Sequence, residues 1–483
     1  MYDVAIVGAW VVGSCTAREL SRFALKTVVI EKDHDVSCGA TRANSGIVHG
    51  GYDTKPGTQK AKYNILGQRM FDKLSEELDF PFRRNGSLVV AFDKEGIAGL
   101  ETLKSQGEAN GLTNLRIVYK DDLKKLEPNI NDNIYAALTV PDGGIVSPYE
   151  MTVAMAENAA SNGVEFMLGC QVTGIEKKDS VFSISTSNGT VEAKIIVNAA
   201  GVYSDEINNM LSQNKLKIIP RRGEYCLFDK YEGALVKNTI FQLPTKMGKG
   251  VLVMPTTHGN LLIGPTSVDI DEKDNLATTK NGLDEVLEKA QLSLNQLPWS
   301  KIITSFTGLR AHLETEDFVI EEAADVPGLI NLCGIESPGL TAAPAIGVEA
   351  AKMVADRLKP ASNENFNPIR KSVPSFIFMT SEERKKAIEK DPNYGHVICR
   401  CESVTKAEII GALRSPLKVN SLDAIKRRTR AGMGRCQGGF CWMRLVDIIA
   451  EECGIDVTEV TKAGGDTNIL LERNKSSFQG VNV

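Results

Sequence analysis

No stretch of this 483-residue chain approaches the roughly 20 consecutive apolar residues that cross a bilayer as a helix, so membrane contact is expected to be peripheral at most. An excess of charge is missing too: a net charge of −5 offers no general attraction to nucleic acid or anionic lipid. Disulfide spacing is absent from most of the ten cysteines. Cys15, Cys38, Cys170, Cys226, Cys333 and Cys453 stand singly, as idle or buried thiols do in a reducing compartment. With a strand-like run starting at Tyr2, no secretory leader is expected, and the chain reads as cytoplasmic. Histidine is scarce. His34, His49, His258, His312 and His396 are the full set, which leaves few candidates for proton transfer near neutral pH.

What is present has the balance of a globular protein, 42% hydrophobic and 24% charged, with length for two or three domains. In "YDVAIVGAWVVGSCTAREL" (2–20) an apolar run, Val4 to Val7, enters a glycine-punctuated turn and then a helix over about 12–24; "TVVIEK" is a second strand. Dinucleotide turns space three glycines as G-x-G-x-x-G. Gly8 and Gly13 hold the outer places, but Trp10 stands in the middle one. The missing side chain there normally lets the backbone approach a pyrophosphate, so an indole is expected to weaken binding or abolish it. Glu31 ends the second strand 23 residues after Gly8, where a carboxylate meets a ribose diol.

The strand, small-residue loop, helix theme returns twice. "KIIVNAAGVYSDEI" (194–207) carries Ala200 and Gly201, and "PGLINLCGIESPGLTAAPAIGVEAAKMVADRL" (327–358) carries the loop from Gly334 to Thr341. The expected fold is therefore α/β, a Rossmann-like dinucleotide domain assembled from 1–80, 146–220 and 310–358. An antiparallel β-rich substrate domain is inserted as 81–145 and 221–309. A Pro-, Asn- and Ser-rich linker follows (359–395), with one short helix capped by Thr380 or Ser381. A helix-rich cysteine module (396–460) and a tail without functional signal (461–483) complete the chain.

The module holds "CRCE" (399–402) and "CQGGFC" (436–441), with 34 residues between Cys401 and Cys436. Four thiolates in two pairs, Cys399, Cys401, Cys436 and Cys441, suit a zinc ion or an iron–sulfur cluster, although C-x-C is unusual for structural zinc. Gly432, Gly434, Gly438 and Gly439 free backbone amides to approach the sulfurs. The basic run "KRRTRAGMGR" (426–435) would offset the cluster's negative charge, or be a solvated face. It is too short and too poor in aromatics for nucleic acid. The spacing resembles the bacterioferritin-associated-ferredoxin-like [2Fe-2S] domain.

In "ATRANSGIVHGGYDTKPGTQKAKYN" (40–64), Thr41, Asn44 and Ser45 can bond the edge of a ring that small neighbours allow to lie flat. Glycines flank "IVH" and bring His49 within reach of a ligand. This stretch, with "VNAAGVYSDEI", "PRRGEYCLF", "MPTTHGNLLIGPT", "GLRAH" and "GIESPGLTAAPAIG", resembles the D-amino-acid-oxidase-like flavoproteins. The likeness runs from residue 2 to about 358 and is strongest toward FAD-dependent glycerol-3-phosphate and L-2-hydroxyglutarate dehydrogenases. Such a flavoprotein joined to a [2Fe-2S] module is similar to the catalytic subunit of anaerobic glycerol-3-phosphate dehydrogenases.

The resemblance implies FAD, with Gly8, Gly13 and Glu31 holding the pyrophosphate and adenosine ribose. It places Thr41, Asn44, Ser45, Ala200 and Gly201 beside the flavin, with the helix opened by Gly334, Gly339, Leu340 and Thr341 aimed at the ring's pyrimidine edge. His49 matches a histidine near flavin N5 and is the expected general base. Arg310 matches the arginine that grips the substrate's anionic group, and His258 and His312 are weaker substrate contacts. The implied reaction is oxidation of sn-glycerol 3-phosphate to dihydroxyacetone phosphate by hydride transfer to N5. The implied electron acceptor is a redox protein or partner subunit. L-2-hydroxyglutarate is the alternative substrate, because a guanidinium fork suits carboxylate as well as phosphate; amine or amino-acid oxidation is a third. A different class, a flavin-deficient iron–sulfur electron-transfer or sensor subunit, draws its support from Trp10.

Overall fold

The computed structural model of the chain describes residues 1–243 and 250–472. Residues 244–249 of the expected substrate segment and 473–483 of the expected tail lie outside the described residues.

The first layer forms around β1 (Tyr2–Val7), which leads into α1 (Val11–Leu20) and β2 (Thr27–Ile30). β1 pairs in parallel with β2 on one side, and β2 in turn with β3 (Glu165–Met167). Its other neighbour is β4 (Gly189–Asn198), also parallel, beyond which lies the strand Leu329–Cys333. Parallel strands covered on both faces read as continuous apolar runs, and β1 shows why. Val4 and Ile6 point into a core shared with α1, with α2 (Pro148–Ser161) and with the long helix Gly339–Leu358. Ala5 and Val7 point the other way, onto Phe182 and Ile184 of an antiparallel meander (Val172–Asn198). A β-carbon at Gly13 would fall 1.9 Å from the Gly8 carbonyl oxygen, so a glycine is needed for α1 to sit on the turn that launches it. This is the mixed α/β architecture expected from the sequence.

A second, nine-stranded sheet stands over the carboxyl ends of the parallel strands. Its spine is the long antiparallel pair β5 (Ile218–Lys230) and β6 (Ile302–Leu313), in register Arg221 to Arg310 and Gly223 to Gly308. The strand Thr239–Gln242 links this spine to Ser87–Ala91 and Ala136–Val140. Segments on either side of residues 141–217 thus share one sheet. The boundaries expected at 220/221 and 309/310 fall inside β5 and β6.

The C-terminal part is helical. Thr380 caps the helix Ser381–Lys390 in a capping box with Glu383. A two-strand hairpin (Val397–Cys399 with Val404–Thr405), the helix Lys406–Leu413, α3 (Leu422–Thr429) and α4 (Trp442–Cys453) come next. They enclose a core of Ile409, Leu422, Ile425, Leu445, Val446 and Ile449. Residues 359–376 are strapped to the first layer rather than spanning solvent. Asn363 donates to the Ser21 carbonyl, and the Asn367 carbonyl accepts from Asn158 and Asn162. Among the described residues no helix is long and apolar enough to cross a membrane.

Three arginines of the basic run 426–435 are buried in ion pairs rather than solvated, while Arg435 stays exposed beside Asp229. Asp35, 1% exposed, receives both Arg427 (Nη2–Oδ2 2.6 Å) and Arg428 (Nη1–Oδ2 2.8 Å and Nη2–Oδ1 2.9 Å). Arg430 reaches Glu402 at 2.8 Å, the Tyr149 hydroxyl at 2.7 Å and the Asn260 amide oxygen at 3.2 Å, while Lys230 completes Glu402 at 3.0 Å. These cations dock the C-terminal module onto the rest. Burial alone would raise the Asp35 pKa, but the Arg428 and Arg427 charges outweigh it and hold the carboxyl below its usual range.

Replacing Asp35 by Asn keeps the shape, leaves Arg427 without a carboxylate and leaves Arg428 only Glu157 at 3.5 Å. We expect a loss of about 3–5 kcal/mol in urea unfolding followed by circular dichroism, with earlier proteolysis in 359–380; an unchanged unfolding midpoint would contradict this role.

Candidate functional site

The carboxyl end of β1 opens into a cavity of about 330 Å³ between the two sheets. The backbone of Gly8 turns there at φ +105°, with the Ala199 carbonyl only 2.5 Å from where a β-carbon would sit, so no other residue fits. Trp10 is the residue before α1, with extended backbone at φ −79°. Around it the loop amides are engaged within the protein: Ala9 N donates to Glu31 Oε2 at 2.6 Å and Val11 N to Thr41 Oγ1 at 3.1 Å. Glu31 ends β2 almost fully buried. Desolvation, helped by the nearby charge of Asp33, pushes its carboxyl up to about 7.

Trp10's ring fills the space left by two glycines. A β-carbon on Gly39 would fall 2.0 Å from Trp10 Cζ2, and one on Gly201 2.6 Å from Cζ3. Behind the ring lies a separate cavity of about 220 Å³, bordered by Lys32, Asp33, Cys38, Arg42 and Tyr203. Trp10 walls both. The crevice therefore fits FAD at its two ends and not in the middle, where the indole crosses the line a pyrophosphate takes.

His49 faces the front cavity from the strand Ile47–Val48. Its backbone N–H donates to Thr341 Oγ1 at 2.9 Å, which ties it to the opening of the helix Gly339–Leu358. Ring atom Nε2 lies 3.4 Å from Ser337 Oγ, Nδ1 lies 3.6 Å from Asp53 Oδ2, and the ring leans on Phe241. Arg310, on β6, is the one cation lining this cavity among the described residues. It donates only to carbonyls, those of Thr266 (2.7 Å), Arg222 (3.2 Å) and Arg221 (3.5 Å). Its neighbours are already neutralised: Arg221 pairs with Asp269 and Lys60 with Glu336. A half-buried guanidinium that faces a cavity without a carboxylate partner is a seat for an anion.

The other sequence candidates divide. Thr41, Asn44, Ser45, Gly201, Gly339 and Leu340 line the front cavity. Thr341 sits behind it as the anchor of His49 and of the Ile47 carbonyl. Asn44 spends its side chain locally, on the Ala40 and Thr41 carbonyls and the Gly46 amide, so it shapes the loop rather than presenting a free amide. Ala200 is one residue from the lining, and Gly334 turns at φ +67° beneath it. His258 is elsewhere, bonded to Glu150 at 2.7 Å in a buried pair. His312 lies behind the wall, bonded to Glu336 at 3.1 Å. Asp53, Ser337 and Phe241, which surround His49, are not singled out by the sequence. Only Asp53, four residues on, offers any local signal.

The four module cysteines converge in two pairs. Cys401 and Cys436 sulfurs are 3.7 Å apart, and Cys399 shares a hydrogen bond with Cys441. That bond, with the Gly432 and Glu402 amides, pulls Cys399 down to about 6. Among the described residues no three ligating side chains meet at one point, as a single-ion site requires. Two thiol pairs with amides aimed at sulfur suit an iron–sulfur cluster. Between this module and the loop 42–45 runs a further cavity of about 450 Å³, bordered by Asn44 and Ser45 at one end and Met433 and Gln437 at the other.

Residues 3–353 match the family described as FAD dependent oxidoreductase, and 397–451 the BFD-like [2Fe-2S] binding domain. The chain is 50% identical over 482 residues to a glycerol 3-phosphate dehydrogenase of Caloramator mitchellensis, covering 99% of this chain and 100% of that one. It is 32% identical over 293 residues to an L-2-hydroxyglutarate dehydrogenase of Indibacter alkaliphilus, covering 59% and 73%. Among solved structures, an L-alpha-glycerophosphate oxidase from Mycoplasma pneumoniae with FAD bound superposes with a TM-score of 0.73 at 33% identity, over 77% of this chain and 99% of that one.

Burial keeps a proton on Glu31 up to about pH 7 in the folded chain, against an ordinary value of 4.5. The folded state thus binds more protons between those values, and stability falls as pH rises through them. Glu31→Gln should flatten that slope. Urea midpoints of flavin-free protein at pH 5 and pH 7.5 check it, with a difference on the order of 2 kcal/mol expected only in the parent chain.

Proposed function

The chain belongs to the FAD dependent oxidoreductase family, and we propose that it oxidises the secondary carbinol of sn-glycerol 3-phosphate to give dihydroxyacetone phosphate. The observation that carries this reading is the pairing, in one cavity, of an arginine without a carboxylate and a histidine whose Nε2 has no closer partner than Ser337 Oγ at 3.4 Å. The half-identical glycerol 3-phosphate dehydrogenase, matched end to end, supports phosphate rather than carboxylate as the anion.

FAD, when bound, supplies the hydride acceptor. In this reading the turn at Gly8 would face its pyrophosphate, Glu31 its ribose, and Thr41, Ser45 and the Gly339–Leu340 opening its ring. Arg310 holds the substrate's phosphate by a two-pronged, charge-assisted contact and so sets the carbinol against His49. His49 takes the hydroxyl proton on Nε2 as the carbonyl forms, while Asp53 stands beside Nδ1. Ser337 fixes the ring's tilt. Cys399, Cys401, Cys436 and Cys441 would hold a [2Fe-2S] cluster, which would supply one-electron chemistry toward a redox protein or partner subunit, in the cytoplasm.

Arg310→Ala should raise KM for glycerol 3-phosphate by roughly 100-fold with a smaller change in kcat, the signature of lost phosphate binding. His49→Asn should instead lower kcat by roughly 100-fold or more with little change in KM. Both are read by anaerobic bleaching of the flavin in FAD-saturated protein. Faster bleaching of the parent by L-2-hydroxyglutarate than by glycerol 3-phosphate would transfer the proposal to the carboxylate substrate.

A further inference from the structure

A dinucleotide lies across the end of a strand such as β1 as one continuous molecule, its pyrophosphate over the turn and on the amides of the next helix. In this chain three features interrupt that path together. The Trp10 ring lies over Gly39 and Gly201, in contact distance of both backbones. The loop donors on either side of it are already engaged, Ala9 N by Glu31 and Val11 N by Thr41. The space beyond is a cavity in its own right, with its own polar border of Lys32, Asp33, Arg42 and Lys273 around Tyr203. Of the cations bordering that space, Arg42 has no acidic partner among the described residues.

We infer that Trp10 divides the cofactor crevice into two independent sites: a front site for an isoalloxazine without adenylate, and a rear site for an adenine nucleotide. FAD is held across both only when the indole is displaced. The inference rests on assigning the crevice to FAD, and not on the choice of substrate. Its physical content is the loss of a chelate. Two half-ligands joined by a pyrophosphate bind tighter than either alone because the second contact is intramolecular, an advantage of roughly 100- to 10,000-fold when the geometry permits both. An indole across the join forbids simultaneous contact, so each half binds with its own affinity and FAD gains nothing from being joined. Because Trp10 has extended backbone, a smaller residue at this position introduces no backbone strain.

The test uses full-length protein stripped of flavin, with riboflavin, ADP and FAD titrated singly and in pairs by calorimetry and flavin-fluorescence quenching. With Trp10 in place, riboflavin and ADP should bind together without competing, and FAD should bind no more than about tenfold tighter than the better half. In Trp10→Gly, FAD should tighten by roughly 100-fold or more and exclude both halves, while riboflavin and ADP alone change by less than about threefold. Trp10→Ala should behave as Trp10→Gly does, which separates removal of the ring from any effect of glycine on folding, itself monitored by thermal melts. Tight, stoichiometric FAD in the parent chain, competition between riboflavin and ADP there, or no gain of FAD in either variant would each overturn the inference. A Trp10→Gly protein that holds FAD but is not bleached by glycerol 3-phosphate would leave the divided crevice standing and sink the substrate assignment alone.

Discussion

Removing a carboxylate and two guanidiniums from water costs several kcal/mol per ion, and the cost is recovered only where each charge finds its partners in good geometry. Asp35 meets that condition with Arg427 and Arg428, and Glu402 meets it with Arg430 and Lys230. Everything the cysteine module does for the oxidoreductase half depends on this junction. A module tethered only by residues 359–376 would sample many orientations. The ion clusters leave it one, with α3 laid against α2 and the hairpin that carries Cys399 and Cys401 held beside β5. Tyr149 and Asn260, both polar and buried, finish the hydrogen bonds of Arg430 so that its charge is not stranded.

The same junction places the thiols on the far side of the loop that lines the front cavity. Asn44 and Ser45 border that cavity and also the one leading toward Met433 and Gln437. The loop that lines the front cavity therefore also borders the cavity that reaches toward the thiol-bearing module. Asn44's local hydrogen bonds acquire a purpose here, because a loop exposed to cavities on both faces has few packing contacts to hold its shape.

Two kinds of glycine act around β1. Gly8 and Gly13 let backbone meet backbone, and each is fixed by a carbonyl oxygen closer than any side chain permits. Gly39 and Gly201 leave room instead, and in this chain that room is taken by Trp10. The crevice is thus complete in its walls and altered in its contents. The sheet beneath is packed by other residues, Val4 to Val7 being buried on both faces.

Local rules were enough for the sequence to determine the α/β frame, the Gly8 turn, the Thr380 cap and the C-x-C and C-x4-C thiol pairs, because each depends on residues a few positions apart. It also singled out His49 and Arg310 as the residues whose chemistry matters, from their small neighbours and from the motifs they share with flavoproteins. Partnership at long range was not legible. A basic run looks the same whether it is solvated or buried, and Asp35 lies 392 residues from Arg427. His258 and His312 are weaker candidates than His49 in sequence but not excluded by it, and only folding ties each to a glutamate and leaves His49 facing the cavity. Whether Arg310 stays free for an anion depends on where Asp269 and Glu336 find their own partners. Such outcomes belong to tertiary structure because charge neutralisation and side-chain burial depend on distance in space, which the order of residues along the chain does not carry.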